Sequence, residues 1–224
     1  MNNIKVGFKV YISSFPLSLY VALIILTILL SIPLRNSVEK IALLPVYVDL
    51  MLLPMVAFIV ALYLKRDSNV FLFELNLIRS FNATYIVSIS IYYILLLVPG
   101  IIFLSSINEI KYLSIVACRI LSYTALFSIA LLIDNYRAAM FYLVTFIFIM
   151  PYAPLALFNN ASATSSRLSP AASILSFFFA PITSYINRNL LSLSIGLIML
   201  ANIVLSFFII IVSYILFIRK EFSV

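Results

Sequence analysis

The sequence predicts an all-α, polytopic integral membrane protein with six transmembrane helices, an N-terminal interfacial helix and a re-entrant or interfacial element before the last span. Three observations carry this reading. First, 65% of the 224 residues are hydrophobic and only 9% are charged, whereas soluble domains are about half apolar and about a quarter charged. A chain this apolar cannot cover its surface with polar groups, so lipid must be its solvent. Second, six apolar runs reach the about 20 residues needed to cross about 30 Å of hydrocarbon. Third, with 3 glycines and 9 prolines in the chain, long helices run largely uninterrupted.

The runs follow in order. The first extends from about Phe15 to Leu34, the second from Ile41 to Leu64 and the third from Thr84 to Leu104. The fourth extends from about Tyr112 to Ile133, the fifth from Ala138 to Phe158 and the sixth from Leu190 to Ile218. The sixth is the longest and is expected to tilt or to project beyond the bilayer. The first is too long for a signal peptide, and Ser31-Ile32-Pro33-Leu34 is a poor small-x-small cleavage site, so it stands as a span.

Lys and Arg set the orientation. Six spans place both termini on one side. If that side is the cytoplasm, its segments hold Lys5, Lys9, Lys65, Arg66, Arg79, Arg137, Arg219 and Lys220, against Arg35, Lys40, Lys111, Arg167 and Arg188 outside. The bias puts both termini in the cytoplasm of a multi-pass cell-membrane protein. The net charge of +7 then reflects lipid head groups and topology rather than nucleic acid.

Three connecting segments add detail. Asn3 to Phe15 places Ile4, Phe8, Tyr11, Ile12 and Phe15 on one helical face beside Lys5 and Lys9, as an interfacial helix would. The same stretch alternates like a strand, so periodicity alone leaves both open. The main cytoplasmic loop, Lys65 to Ala83, opens on Asp67 and Ser68 as helix caps. It then aligns Phe71, Leu72, Leu75 and Ile78 in an apolar stripe, with Glu74 and Arg79 off it. Such a helix lies on lipid or docks a soluble partner. The outside segment, Asn159 to Asn189, starts polar and becomes apolar between Pro170 and Pro181. That apolar part is too short to span a bilayer, and broken backbone at membrane depth must be buried in protein. It is therefore expected to pack on other spans or on a second subunit.

Two charges interrupt apolar spans: Asp49 in the second and Arg119 in the fourth. Both sit about 10–12 Å in from the same side, at 1.5 Å per residue, and could pair. A lone charge at the bilayer centre costs at least about 2.5–3.5 kcal/mol. The pair is readable as a packing device or as part of a substrate path.

The chain has no histidine and one cysteine, Cys118. That removes bis-histidine haem, histidine-ligated zinc, serine–histidine hydrolysis and disulfides. No metal site, cofactor or catalytic residue is expected.

The six spans, the N-terminal helix, the loop after the second span and the proline-bounded element before the last together resemble the membrane subunit of type-2 ABC exporters. Asp67-Ser68-Asn69-Val70 stands where that family commonly has an acidic residue followed by Gly-Thr, and Phe71 to Leu77 matches its Leu-rich part. Gly and Thr are replaced by Asn69 and Val70, and the proline expected near Ile78 and the lysine expected early in the third span are missing. The resemblance implies a permease that pairs as a homodimer or with a related permease and binds a cytoplasmic ATPase subunit through Asp67, Phe71, Glu74 and Arg79. The chain has no Gly-x-x-x-x-Gly-Lys-Ser/Thr loop, so hydrolysis is expected only in the partner. Departure from the signature keeps a second reading open, a non-transporting subunit of a larger membrane complex.

Overall fold

The structure, a computed structural model, describes residues 2–14, 16–35, 37, 40–65, 78, 80–164 and 166–219. Among these residues it is all helix and turn, and six helices are long and apolar enough to cross a membrane. The first is α2 (Leu17–Arg35), preceded by α1 (Asn2–Ser14). The second joins α3 (Lys40–Pro45), a π-helical stretch (Val46–Leu52) and α4 (Leu53–Leu64). The third is α5 (Phe81–Ser106) and the fourth is α6 (Leu113–Leu132), entered through a 3-10 turn at Ile110–Tyr112. The fifth runs through α7 (Tyr136–Val144), a second π-helical stretch (Thr145–Ile149) and α8 (Tyr152–Ala163). Two short helices, α9 (Pro170–Phe179) and α10 (Pro181–Ile186), precede the last span, α11 (Ile195–Arg219).

Bilayer contact is written in the side-chain spacing. Val21, Ile25, Ile28 and Ile32 of α2 are exposed at helical intervals, as are Leu200, Val204, Phe208 and Ile211 of α11. Water would penalise such stripes, whereas lipid tails do not. The centre of the bundle is α6, the most buried span, which touches α5, α11, α9, α10 and α4. Gly100 lets α5 approach it closely, since a Cβ there would lie 3.1 Å from Val116. Gly7 does the same for α1, which seats Tyr11 in the core against α5.

Backbone groups freed inside the membrane are re-satisfied, as lipid requires. Pro99 in mid-α5 cannot donate to Leu95, four residues back. The Tyr20 hydroxyl of α2 donates to that carbonyl instead, at 3.0 Å. Two further tyrosines of α5 tie neighbouring spans together: Tyr85 donates to Ile210 at 2.9 Å and Tyr92 to Ala57 at 3.1 Å.

Two span boundaries differ from expectation. The last span begins at Ile195 rather than near Leu190, and the fifth, at 28 residues, is the longest. Leu190 lies in a 3-10 turn whose carbonyl accepts from the Leu168 amide at 2.8 Å, closing the base of the α9–α10 hairpin. The fifth continues past polar Asn159 and Asn160, whose side chains are exposed, and ends at Ala163, where the hydroxyl of the capping Thr164 donates to the Asn160 carbonyl at 2.9 Å.

Candidate functional site

Asp49 and Arg119 are both fully buried. They converge on the break between α9 and α10, where Ala180 leaves the helix (φ −148°, ψ 73°) and Pro181 begins a new one. Proline at the first helical position is favoured because its missing N–H would be unpaired there anyway.

Asp49 reaches the break from a deformed turn. Pro45 precedes the π-helical stretch and Pro54 follows it, and the Leu53 amide bonds five residues back to Val48. Pro54 has no N–H for the i−4 carbonyl, so the regular ladder cannot run through this turn. The wider turn directs Asp49 inward. Its Oδ2 accepts the Thr183 amide at 2.8 Å and the Thr183 hydroxyl at 3.0 Å. Thr183 is the third residue of α10, so the carboxylate from the second span caps a helix 134 residues away.

Arg119 approaches from the opposite wall. Its guanidinium lies 4.0 Å above the Tyr123 ring, one turn further along α6. Its Nη1 donates to the Phe178 carbonyl at 2.6 Å, in the last turn of α9. The anion therefore meets the positive end of α10, and the cation meets the negative end of α9.

The expected pair thus takes a different form. Among the described residues no salt bridge within 4 Å joins Asp49 to Arg119; each charge holds one end of the broken helix, although the two still attract through space. The reason is local: Thr183 occupies one carboxylate oxygen, while Tyr123 and Phe178 hold the guanidinium away. Among the described residues, Asp49 Oδ1, Arg119 Nε and Nη2 and the Tyr123 hydroxyl have no hydrogen-bond partner. Tyr92, stacked on Phe127 at 4.2 Å, completes this polar centre.

Other contacts fix the hairpin. The Asn202 amide of α11 donates to the Ile174 carbonyl of α9 at 3.2 Å, and the Ser192 amide donates to the Ser173 hydroxyl at 3.3 Å. At the far end of α6, buried Lys65 donates to the Ile133 carbonyl at 2.7 Å. This cation at a helix C-terminus opens the loop that follows the second span.

The expected coupling residues Asp67, Phe71, Glu74 and Arg79 lie outside the described residues. On their flanks, Ile78 is buried and Ser80 caps α5 by accepting from the Ala83 amide at 3.2 Å. Sequence reading missed Thr183, Tyr123, Tyr92 and Lys65. Signals existed for two of them: Tyr123 follows Arg119 at i+4, and Thr183 stands two residues after a helix-starting proline.

No protein-family model, curated protein or solved structure matches the chain.

Proposed function

We propose that this chain is the permease subunit of an ATP-driven, ABC-type exporter in the cell membrane, with both termini cytoplasmic. The observation that carries the reading is the proline-bounded, broken hairpin before the last span, packed into the bundle rather than crossing it. It occurs in a six-span chain whose N-terminal helix packs on the third span, the layout on which the resemblance rests.

The contacts supply a route for coupling. A cytoplasmic ATPase docks on the 65–83 loop. The first residue of that loop, Lys65, is clamped to the end of α6. The second span and α6 also carry Asp49 and Arg119, which hold the two ends of the hairpin break. A shift between these two spans therefore moves the loop and the hairpin together. The chain contributes the membrane path, and the partner supplies the free energy.

The test is affinity purification from native membranes, with wild-type chain and with Asp67→Ala/Glu74→Ala. The reading expects a nucleotide-binding subunit with the wild type and its loss with the loop variant. Recovery of other membrane subunits, with no nucleotide-binding protein, would instead identify an accessory subunit of a larger complex.

A further inference from the structure

Four side-chain atoms at the charge centre are buried without a hydrogen-bond partner among the described residues: Asp49 Oδ1, Arg119 Nε and Nη2, and the Tyr123 hydroxyl. All three residues are 0% exposed. The atoms form a complementary set. A carboxylate oxygen accepts, guanidinium N–H groups donate, and a phenol hydroxyl does both. Nε and Nη2 make one edge of the planar guanidinium, so two parallel donors face one way while Nη1 holds the Phe178 carbonyl. The Tyr123 hydroxyl feels both charges. Asp49 and Arg119 attract each other, although no oxygen and nitrogen of the two approach within 4 Å. The four atoms therefore share one small region beside the hairpin break.

We propose that this region is a buried hydration site, in which ordered water donates to Asp49 Oδ1 and accepts from the Nε–Nη2 edge of Arg119 and from the Tyr123 hydroxyl. Buried side-chain polar atoms in folded proteins are bonded in their large majority, to protein or to ordered water. Charge and size select water here. A carboxylate or phosphate matches the guanidinium edge, but it would also face the Asp49 carboxylate. A metal cation matches Oδ1, but it would face Arg119. Only a neutral group that both donates and accepts suits the whole set, and water is the smallest. Two hydrogen bonds of about 2.8 Å through one oxygen span about 4.5–5.5 Å, which fits a pair that attracts yet stays beyond 4 Å. Oδ1, the guanidinium edge and the hydroxyl also supply the about three bonds that a buried water makes.

The bridge gives the two hairpin ends an exchangeable link. A direct ion pair must break before its partners separate, whereas water changes partners without leaving either charge bare. The site holds water whether or not an ATPase docks on the 65–83 loop.

The experiment is radiolytic hydroxyl labelling of the full chain in bilayer nanodiscs, mapped by peptide mass spectrometry. A synchrotron pulse makes hydroxyl radicals from bound water as well as from bulk water, and these modify the side chains beside it. The controls are Tyr85 and Phe217, each 2% exposed, which pack on each other at 5.2 Å. The Tyr85 hydroxyl already donates to the Ile210 carbonyl. Tyr123 should be modified at least tenfold faster than either. In Asp49→Leu/Arg119→Met both charges are gone, and Tyr123 labelling should fall to the Tyr85 level. The wild-type comparison needs no variant, so it decides the matter even where the double variant does not fold. Two results would overturn the proposal: Tyr123 labelled no faster than Tyr85 and Phe217 in the wild type, or Tyr123 labelled at the wild-type rate in the folded double variant.

Discussion

Thr183→Val is a sensitive probe of the buried centre. It preserves the side-chain shape and removes one bond, the 3.0 Å contact from the Thr183 hydroxyl to Asp49 Oδ2, while the 2.8 Å amide contact remains. A hydrogen bond to a charged group contributes about 1.5–3 kcal/mol. For a chain of this size each kcal/mol moves the melting temperature by about 2–4 °C, so a loss of about 3–12 °C is expected. Asp49→Asn weakens both bonds and leaves Arg119 buried without a nearby anion, at about 3–5 kcal/mol. In the Asp49→Asn background the lost bond is neutral and worth about 1 kcal/mol, so Thr183→Val should cost about half as much there. The assay is built into the chain: Cys118 is the single cysteine and is buried, so a thiol-reactive fluorogenic dye reports melting directly. Equal costs of Thr183→Val in both backgrounds would refute the assignment of Asp49 as the cap of α10.

Three further outcomes follow from contacts in the bundle, and a fourth from the Lys and Arg bias. Arg119→Gln and Asp49→Asn should each destabilise, and their double mutant should lose less than the sum; because they attract beyond 4 Å, the coupling measured by thermal melting should stay below about 4 kcal/mol. Lys65→Met removes the cation held on the Ile133 carbonyl at the end of α6 and should cost about 1–2 kcal/mol, raising amide hydrogen exchange around residues 131–135 ahead of the rest of the bundle. Gly100→Val drives a side chain into Val116 and should cost about 1–3 kcal/mol in melting assays, with part of the loss restored by Val116→Ala. A reporter fused to the C-terminus that is active only in the cytoplasm should be active; a signal from the opposite side would invert the proposed orientation.

The spans were legible because lipid exposure imposes long apolar runs that composition reveals directly. Their ends were less so. Leu190, Leu191 and Leu193 read as membrane helix, yet the Leu190 carbonyl is committed to the Leu168 amide and the chain turns there. Asp49 and Arg119 were legible as charges interrupting apolar runs, and so was a short element bounded by Pro170 and Pro181; the second helix that follows Pro181 was not. Nor were the partners of the two charges. The Asp49 contact joins residues 134 apart and the Arg119 contact residues 59 apart, the latter to a backbone carbonyl that every residue carries. Local sequence locates a buried charge, but only the packed bundle shows that two opposite charges satisfy the two ends of a broken helix rather than each other.

The functional account is tested most directly by the mass of the native assembly extracted into lipid nanodiscs. An exporter permease predicts two membrane subunits with two nucleotide-binding subunits, an assembly that hydrolyses ATP. A stable native particle containing this chain and other membrane proteins, but no nucleotide-binding subunit and no ATPase activity, would contradict it.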